Sequence, residues 1–139
     1  MAEGADCMEK KEYTARCHCG NIRFSFLSEE IKEGRRCNCS ICIRKGAVVS
    51  AKYIPAEDFR PIQNMEQVTD YRWNDRIVNH LFCKTCGIYP YHGNSEYGYR
   101  VNLGCVEQID PMSLEIKIID GKSMEICKDP GPHPELHNS

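Results

Sequence analysis

Seven of the chain's ten cysteines stand in three close groups: Cys17-His18-Cys19-Gly20, Cys37-Asn38-Cys39-Ser40-Ile41-Cys42 and Cys83-Lys84-Thr85-Cys86-Gly87. Thiolates two or three positions apart on a turn can aim both sulfurs at one ion, and Zn²⁺ prefers a tetrahedral array of such ligands. The amides of the turn can then donate to the sulfurs, and Gly20 and Gly87 let it take a positive φ. The C-x-C-G and C-x-x-C-G groups together supply four thiolates, which is a closed structural site. The middle group, C-x-C-x-x-C, supplies three from one short loop. Three protein ligands plus an open position is the pattern of catalytic zinc. The spacing also allows any two of the three groups to share one ion, so the residues alone leave the pairing open.

Other readings of these residues are weaker. A redox dithiol at Cys83 and Cys86 calls for a thioredoxin-like helix, and no such pattern follows Cys86. Ordinary buried cysteines would not fall into three tight groups. Cys7, Cys105 and Cys127 stand alone and read as inert, Cys105 within a strand that can approach a site. His18, His80 and His92, near cysteine groups or strand ends, read as structural, and His133 and His137 fall in a loose tail.

The rest of the chain must position these groups. With 139 residues it is the size of one domain and can bury a core without disulfides. Eighteen basic residues against twenty acidic ones leave a net charge of −2, with no footprint for nucleic acid or an anionic membrane. The N-terminus MAEGADCMEKKEYTAR has no signal-peptide core, and no stretch approaches a membrane span. A cytoplasmic protein with reduced thiols is therefore expected. From Tyr13 the chain reads as strand, and Ile22, Phe24 and Phe26 alternate with polar residues, the period of a half-buried strand. Arg35–Cys39 reads as a strand entering a tight turn, Ala47–Ile54 as a strand, and Pro55–Phe59 as a turn or single helical turn. Val68–Trp73 and Ile77–Phe82 flank an Asn74–Asp75 turn, a hairpin signal. Tyr97, Tyr99, Val101 and Leu103 alternate, and Leu114–Ile119 forms a last strand. No long amphipathic helix stands out, so the fold class expected is mostly β. The expected organisation is a flexible segment over 1–12, one zinc-binding domain over 13–127, and a flexible Pro-containing tail over 128–139.

The runs C-H-C-G-N-I-R-F, C-N-C-S-I-C-I-R-K-G-A and F-C-K-T-C-G-I, with the closing P-M-S-L-E-I-K-I-I-D-G, resemble the glutathione-dependent formaldehyde-activating enzyme family. The vertebrate centromere protein V domain belongs to the same family. The resemblance runs from about Tyr13 to about Ser123. It implies a β-tent fold of several coiled antiparallel sheets and two zinc ions per chain. It assigns Cys17, Cys19, Cys83 and Cys86 to a structural zinc, and Cys37, Cys39 and Cys42 to a catalytic zinc. The activity it implies is a carbon–sulfur lyase reaction, the reversible joining of formaldehyde and glutathione as S-(hydroxymethyl)glutathione. Many members carry His where this chain has Asn38, and many have Arg-Lys directly after the third catalytic cysteine, where Ile43 intervenes here. Both departures leave the metal ligands intact and bear on the substrate.

In that chemistry Arg44 or Lys45 would meet a substrate carboxylate or the developing alkoxide, the competing reading being solvated surface charge. Ser40 would donate to a zinc-bound sulfur or cap the turn. The partners expected are a small thiol, glutathione by resemblance, and an aldehyde. Two other classes compete: a non-catalytic zinc-binding interaction module, which needs only the four-cysteine site, and a metal-handling protein that exchanges the ion of the three-cysteine loop.

Overall fold

The computed structural model describes residues 9–62, 65–72 and 79–123. The segment expected as a tail, the Asn74–Asp75 turn, Cys7 and Cys127 lie outside the described residues. Among the described residues ten strands form three small sheets: β1 (Lys11–Arg16), β2 (Arg23–Ser28) and β5 (Phe59–Pro61) in one; β3 (Glu33–Cys37), β4 (Val49–Ser50) and β10 (Glu115–Ile119) in a second; β6 (Val68–Tyr71), β7 (Asn79–Cys83), β8 (Tyr91–Asn94) and β9 (Gly98–Val101) in the third. The fold is mostly β, as the strand periods predict. Pairings are antiparallel except β3 with β10, which run parallel with Cys37 opposite Ile119. Among the described residues no helix is long and apolar enough to cross a membrane.

The first and third sheets close on an aromatic core. Phe24 and Phe26, on one face of β2, are buried together with Ile22 just before the strand. Phe24 meets Tyr91 edge-on at 5.0 Å, and Phe59 of β5 stacks on Tyr99 of β9 at 4.4 Å between ring centres. Such contacts add about 0.5–1.5 kcal/mol per pair beyond the area they bury. They bring the loop after β1, which carries Cys17 and Cys19, against the end of β7, which carries Cys83.

Two expectations are corrected. Ala47–Ile54 is not one continuous strand; only Val49 and Ser50 pair as β4, with a separate bridge from Ile54 to Tyr99. The Arg100 guanidinium donates to the carbonyls of Ser50 and Ala51 at 2.8 and 3.0 Å, where β4 ends. The turn expected after Cys39 is a six-residue helix, α1 (Ser40–Lys45), stopped by Gly46 at φ 68°.

Gly93, on β8 at φ 137°, faces the backbone of β9, where a Cβ would overlap the Gly98 carbonyl oxygen and lie 2.8 Å from Tyr99 Cα. Gly93→Ala is expected to cost roughly 3 kcal/mol, read as the shift in a urea unfolding curve. A change under about 0.5 kcal/mol would mean that the hairpin can spread without loss.

Candidate metal centres

Two turns of similar build present the first sulfur cluster. In the loop after β1, the Cys17 amide donates to the Ile22 carbonyl and Gly20 stands at φ 85°. At the end of β7, the Cys83 amide donates to the Ile88 carbonyl and Gly87 stands at φ 77°. Each turn points backbone N–H groups at a sulfur. Ile22 donates to Cys17 Sγ at 3.3 Å, and Thr85 and Cys86 donate to Cys83 Sγ at 3.4 and 3.5 Å. Cys17, Cys19, Cys83 and Cys86 converge with all four sulfurs inside 4.8 Å of one another. The Cys17–Cys19 and Cys19–Cys83 separations are 3.7 and 3.6 Å. A regular tetrahedron with 2.3 Å zinc–sulfur bonds has edges of about 3.8 Å, so this donor set fits Zn²⁺ without rearrangement.

The second cluster is local. Cys37 ends β3, Cys39 occupies the position before α1, and Cys42 lies within the helix; their sulfurs also fall within 4.8 Å. Among the described residues no fourth His, Cys, Asp or Glu joins them. The Cys39 amide donates to Cys37 Sγ at 3.4 Å. The Cys42 thiol donating to Cys39 sulfur is the main reason that Cys39 is pulled down to about 5, and the same bond pushes Cys42 up. Burial raises Cys37 as well. Three sulfurs this close do not all ionise unaided, and a cation among them would compensate the charge.

The two basic residues after Cys42 part company. Arg44 turns outward and bonds the Ser40 carbonyl at 2.8 Å, its own preceding helical turn. Lys45 turns inward. Its Nζ lies 3.7 Å from the centre of the Tyr89 ring and 2.8 Å from His80 Nδ1. Burial lowers the amine to about 8, and the thiolates of Cys42, Cys39 and Cys37 pull it back up. Burial and then the Lys45 charge hold His80 down to about 3. His80 is therefore neutral at pH 7, and its bare Nδ1 accepts from the ammonium. His80 stacks on His92, which burial also keeps neutral. Burial pushes the Tyr89 phenol well up, so its hydroxyl stays protonated, and it is hydrogen-bonded to His92 Nδ1.

Ser40 is the first helical residue rather than the cap, a position taken by Cys39. Tyr89 and His80 contact Lys45, and His92 stacks on both of them. The sequence signal for Tyr89 is its place three residues beyond Cys86, in the run Tyr89-Pro90-Tyr91-His92. Cys105 sits in a short 3-10 turn rather than a strand, and burial pushes its thiol up to about 12. It lines, with Cys17, Arg16 and Glu107, a cavity of about 380 Å³ that none of Cys37, Cys39 and Cys42 reaches.

The model of the family described as glutathione-dependent formaldehyde-activating enzyme matches residues 12–119. A crystal structure of a Rhodobacter sphaeroides protein superposes with a TM-score of 0.67 at 33% identity, over 76% of this chain and 98% of the other. The matched span contains all seven clustered cysteines together with Lys45, His80 and Tyr89. The chain belongs to the glutathione-dependent formaldehyde-activating enzyme family.

Proposed function

We propose that the protein is a zinc-dependent carbon–sulfur lyase that forms or cleaves thiol–aldehyde adducts such as S-(hydroxymethyl)glutathione. The observation that carries this reading is the three-sulfur cluster of Cys37, Cys39 and Cys42, which has no fourth donor among the described residues and has the Lys45 ammonium on the same short helix. In this reading Cys17, Cys19, Cys83 and Cys86 hold a structural zinc. A zinc ion held by Cys37, Cys39 and Cys42 would supply an open position for an incoming thiol and would lower its pKa from the usual value of about 8.5.

The chain's own residues supply the rest. His80 and Tyr89, each stacked on His92, hold Lys45 Nζ in place, so its charge is fixed before substrate arrives rather than organised during the reaction. A glutathione carboxylate or the oxygen that becomes the alkoxide is its partner. Charge buried in this way acts more strongly than the same charge in water. Arg44, in the exposed position, serves the outer part of a substrate, and Ser40 at the start of α1 is a donor to a bound sulfur. Addition of the thiol sulfur to the aldehyde carbon needs no electron transfer. The acceleration comes from holding the two reactants together and stabilising the oxygen charge.

The test is metal analysis followed by an assay of glutathione-dependent formaldehyde consumption. Two zinc ions per chain in sulfur-rich coordination by X-ray absorption are expected, with consumption faster than the uncatalysed reaction. Lys45→Met should lower turnover by about a hundredfold with both metals retained. Arg44→Met should cost far less. A doubly loaded wild type that does not accelerate the reaction with any small thiol would overturn the lyase reading.

A further inference from the structure

Asn38 is the single residue between Cys37 and Cys39, so its conformation sets how those two sulfurs stand to each other. It is attached to the C-terminal turn at three points. Its backbone N–H donates to the Ile119 carbonyl at 3.1 Å, one step beyond the last register pair of β3 and β10. Its side-chain nitrogen donates to Asp120 Oδ1 at 3.1 Å, and its side-chain oxygen accepts from the Lys122 backbone N–H at 2.8 Å. Asp120 is braced in turn by the Ser123 hydroxyl, which donates to Oδ2 at 2.8 Å. Both ends of the Asn38 amide are thus engaged by protein. The next amide in the chain, that of Cys39, points at Cys37 sulfur. The far end of the loop is held separately, through Lys45 and His80.

Resting on the reading of Cys37, Cys39 and Cys42 as a metal site, we infer that Asn38 is a positioning residue for that site. Its amide clamps the Cys37–Cys39 turn onto the turn at residues 120–123, and retention of the ion by the three sulfurs depends on that clamp. Residues that hold a ligand's backbone without touching the ion change metal affinity by about 10–100-fold when altered. The parallel β10 is then more than an edge strand: it brings Asp120 and the Lys122 amide to the loop.

Zinc release from the loaded full chain to an excess of a chromogenic pyridylazo-resorcinol chelator tests this without any assay of turnover. Wild type should release two equivalents, a fast one from the three-sulfur loop and a slow one from the four-sulfur site. Asn38→Asp sets two carboxylates against each other, and Asp120→Ala removes the acceptor from an exposed turn. Each should speed the fast equivalent by about tenfold and leave the slow one within about twofold of wild type. Combining Asn38→Asp with Asp120→Asn restores a donor facing an acceptor, and should bring the fast rate back to within about threefold. Lys122→Ala keeps the backbone N–H and should change nothing. An unmoved fast phase in the single variants, parallel acceleration of both equivalents, or no recovery in the double variant would overturn the inference. A wild type that binds one equivalent only overturns the metal-site reading and the inference with it. Two equivalents with unmoved rates overturn the inference alone.

Discussion

Cys86→Ser is expected to leave a chain that accumulates as insoluble protein or shows no cooperative melt. Cys86 closes a four-sulfur cluster whose members Cys19 and Cys83 are 64 residues apart. That closure joins the loop after β1 to the end of β7, two of the three sheets. A small domain is stable by about 5–15 kcal/mol. Structural zinc in small domains binds with an apparent free energy of about 10–16 kcal/mol, all of it available to the folded state alone. The Phe24, Phe26, Phe59 and Tyr91 core favours the same arrangement, but the term that a zinc ion held there would supply is as large as the whole net stability. Cys17→Ser should behave alike, since its sulfur is buried and receives the Ile22 amide. Circular dichroism melts of the soluble fraction provide the measurement. Soluble variants melting cooperatively within a few degrees of wild type would remove the structural role from this cluster.

The sequence shows what is local and periodic. Phe24 and Phe26 mark β2 by strict alternation, and both prove to be in the core. The C-x-C-G and C-x-x-C-G turns are readable because the chemistry of a thiolate turn needs its glycine, and Gly20 and Gly87 do take positive φ. The six-residue α1 is not readable, because it is too short to show a helical period and it overlaps the metal-spaced cysteines, with Cys39 as its cap and Cys42 within it. The parallel partnership of β10 with β3 joins parts of the chain far apart in sequence, Asn38 and Asp120 being separated by 82 positions, and no local pattern encodes it. The inward turn of Lys45 is hidden for the same reason. Its cage comes from β7 and the stretch before β8, so a residue that reads as a solvated charge or substrate contact is turned inward and half-buried by tertiary packing alone. Ala47–Ile54 fails in the opposite direction. Its Val and Tyr content favours a strand, but pairing stops at Ser50, where the Arg100 side chain donates to the Ser50 and Ala51 carbonyls.

The three-sulfur cluster should respond to mutation in the opposite way from the four-sulfur one. Cys37, Cys39 and Cys42 lie within six residues of one chain segment. An ion there closes a very short loop. The loop-closure term is smaller than that of the long-range site by about 2 kcal/mol, and no two sheets depend on it. The backbone is also held independently, by Asn38 at one end and Lys45 at the other. Cys42→Ser should therefore fold, melt cooperatively and retain one metal ion. What it should lose is the position open to an outside sulfur, because the four-sulfur cluster has its donors complete within the protein. Cobalt substitution makes this visible, since a thiolate entering the coordination sphere changes the charge-transfer absorption in the near ultraviolet. Wild type titrated with glutathione should show a saturable change, and Cys42→Ser none. Turnover of the glutathione–formaldehyde adduct should fall to the uncatalysed rate in the same variant. A Cys42→Ser protein that answers glutathione as wild type does would place thiol binding elsewhere. Wild type that does not answer any thiol would leave the fold as a zinc-binding interaction module, with the three-sulfur loop serving no incoming ligand.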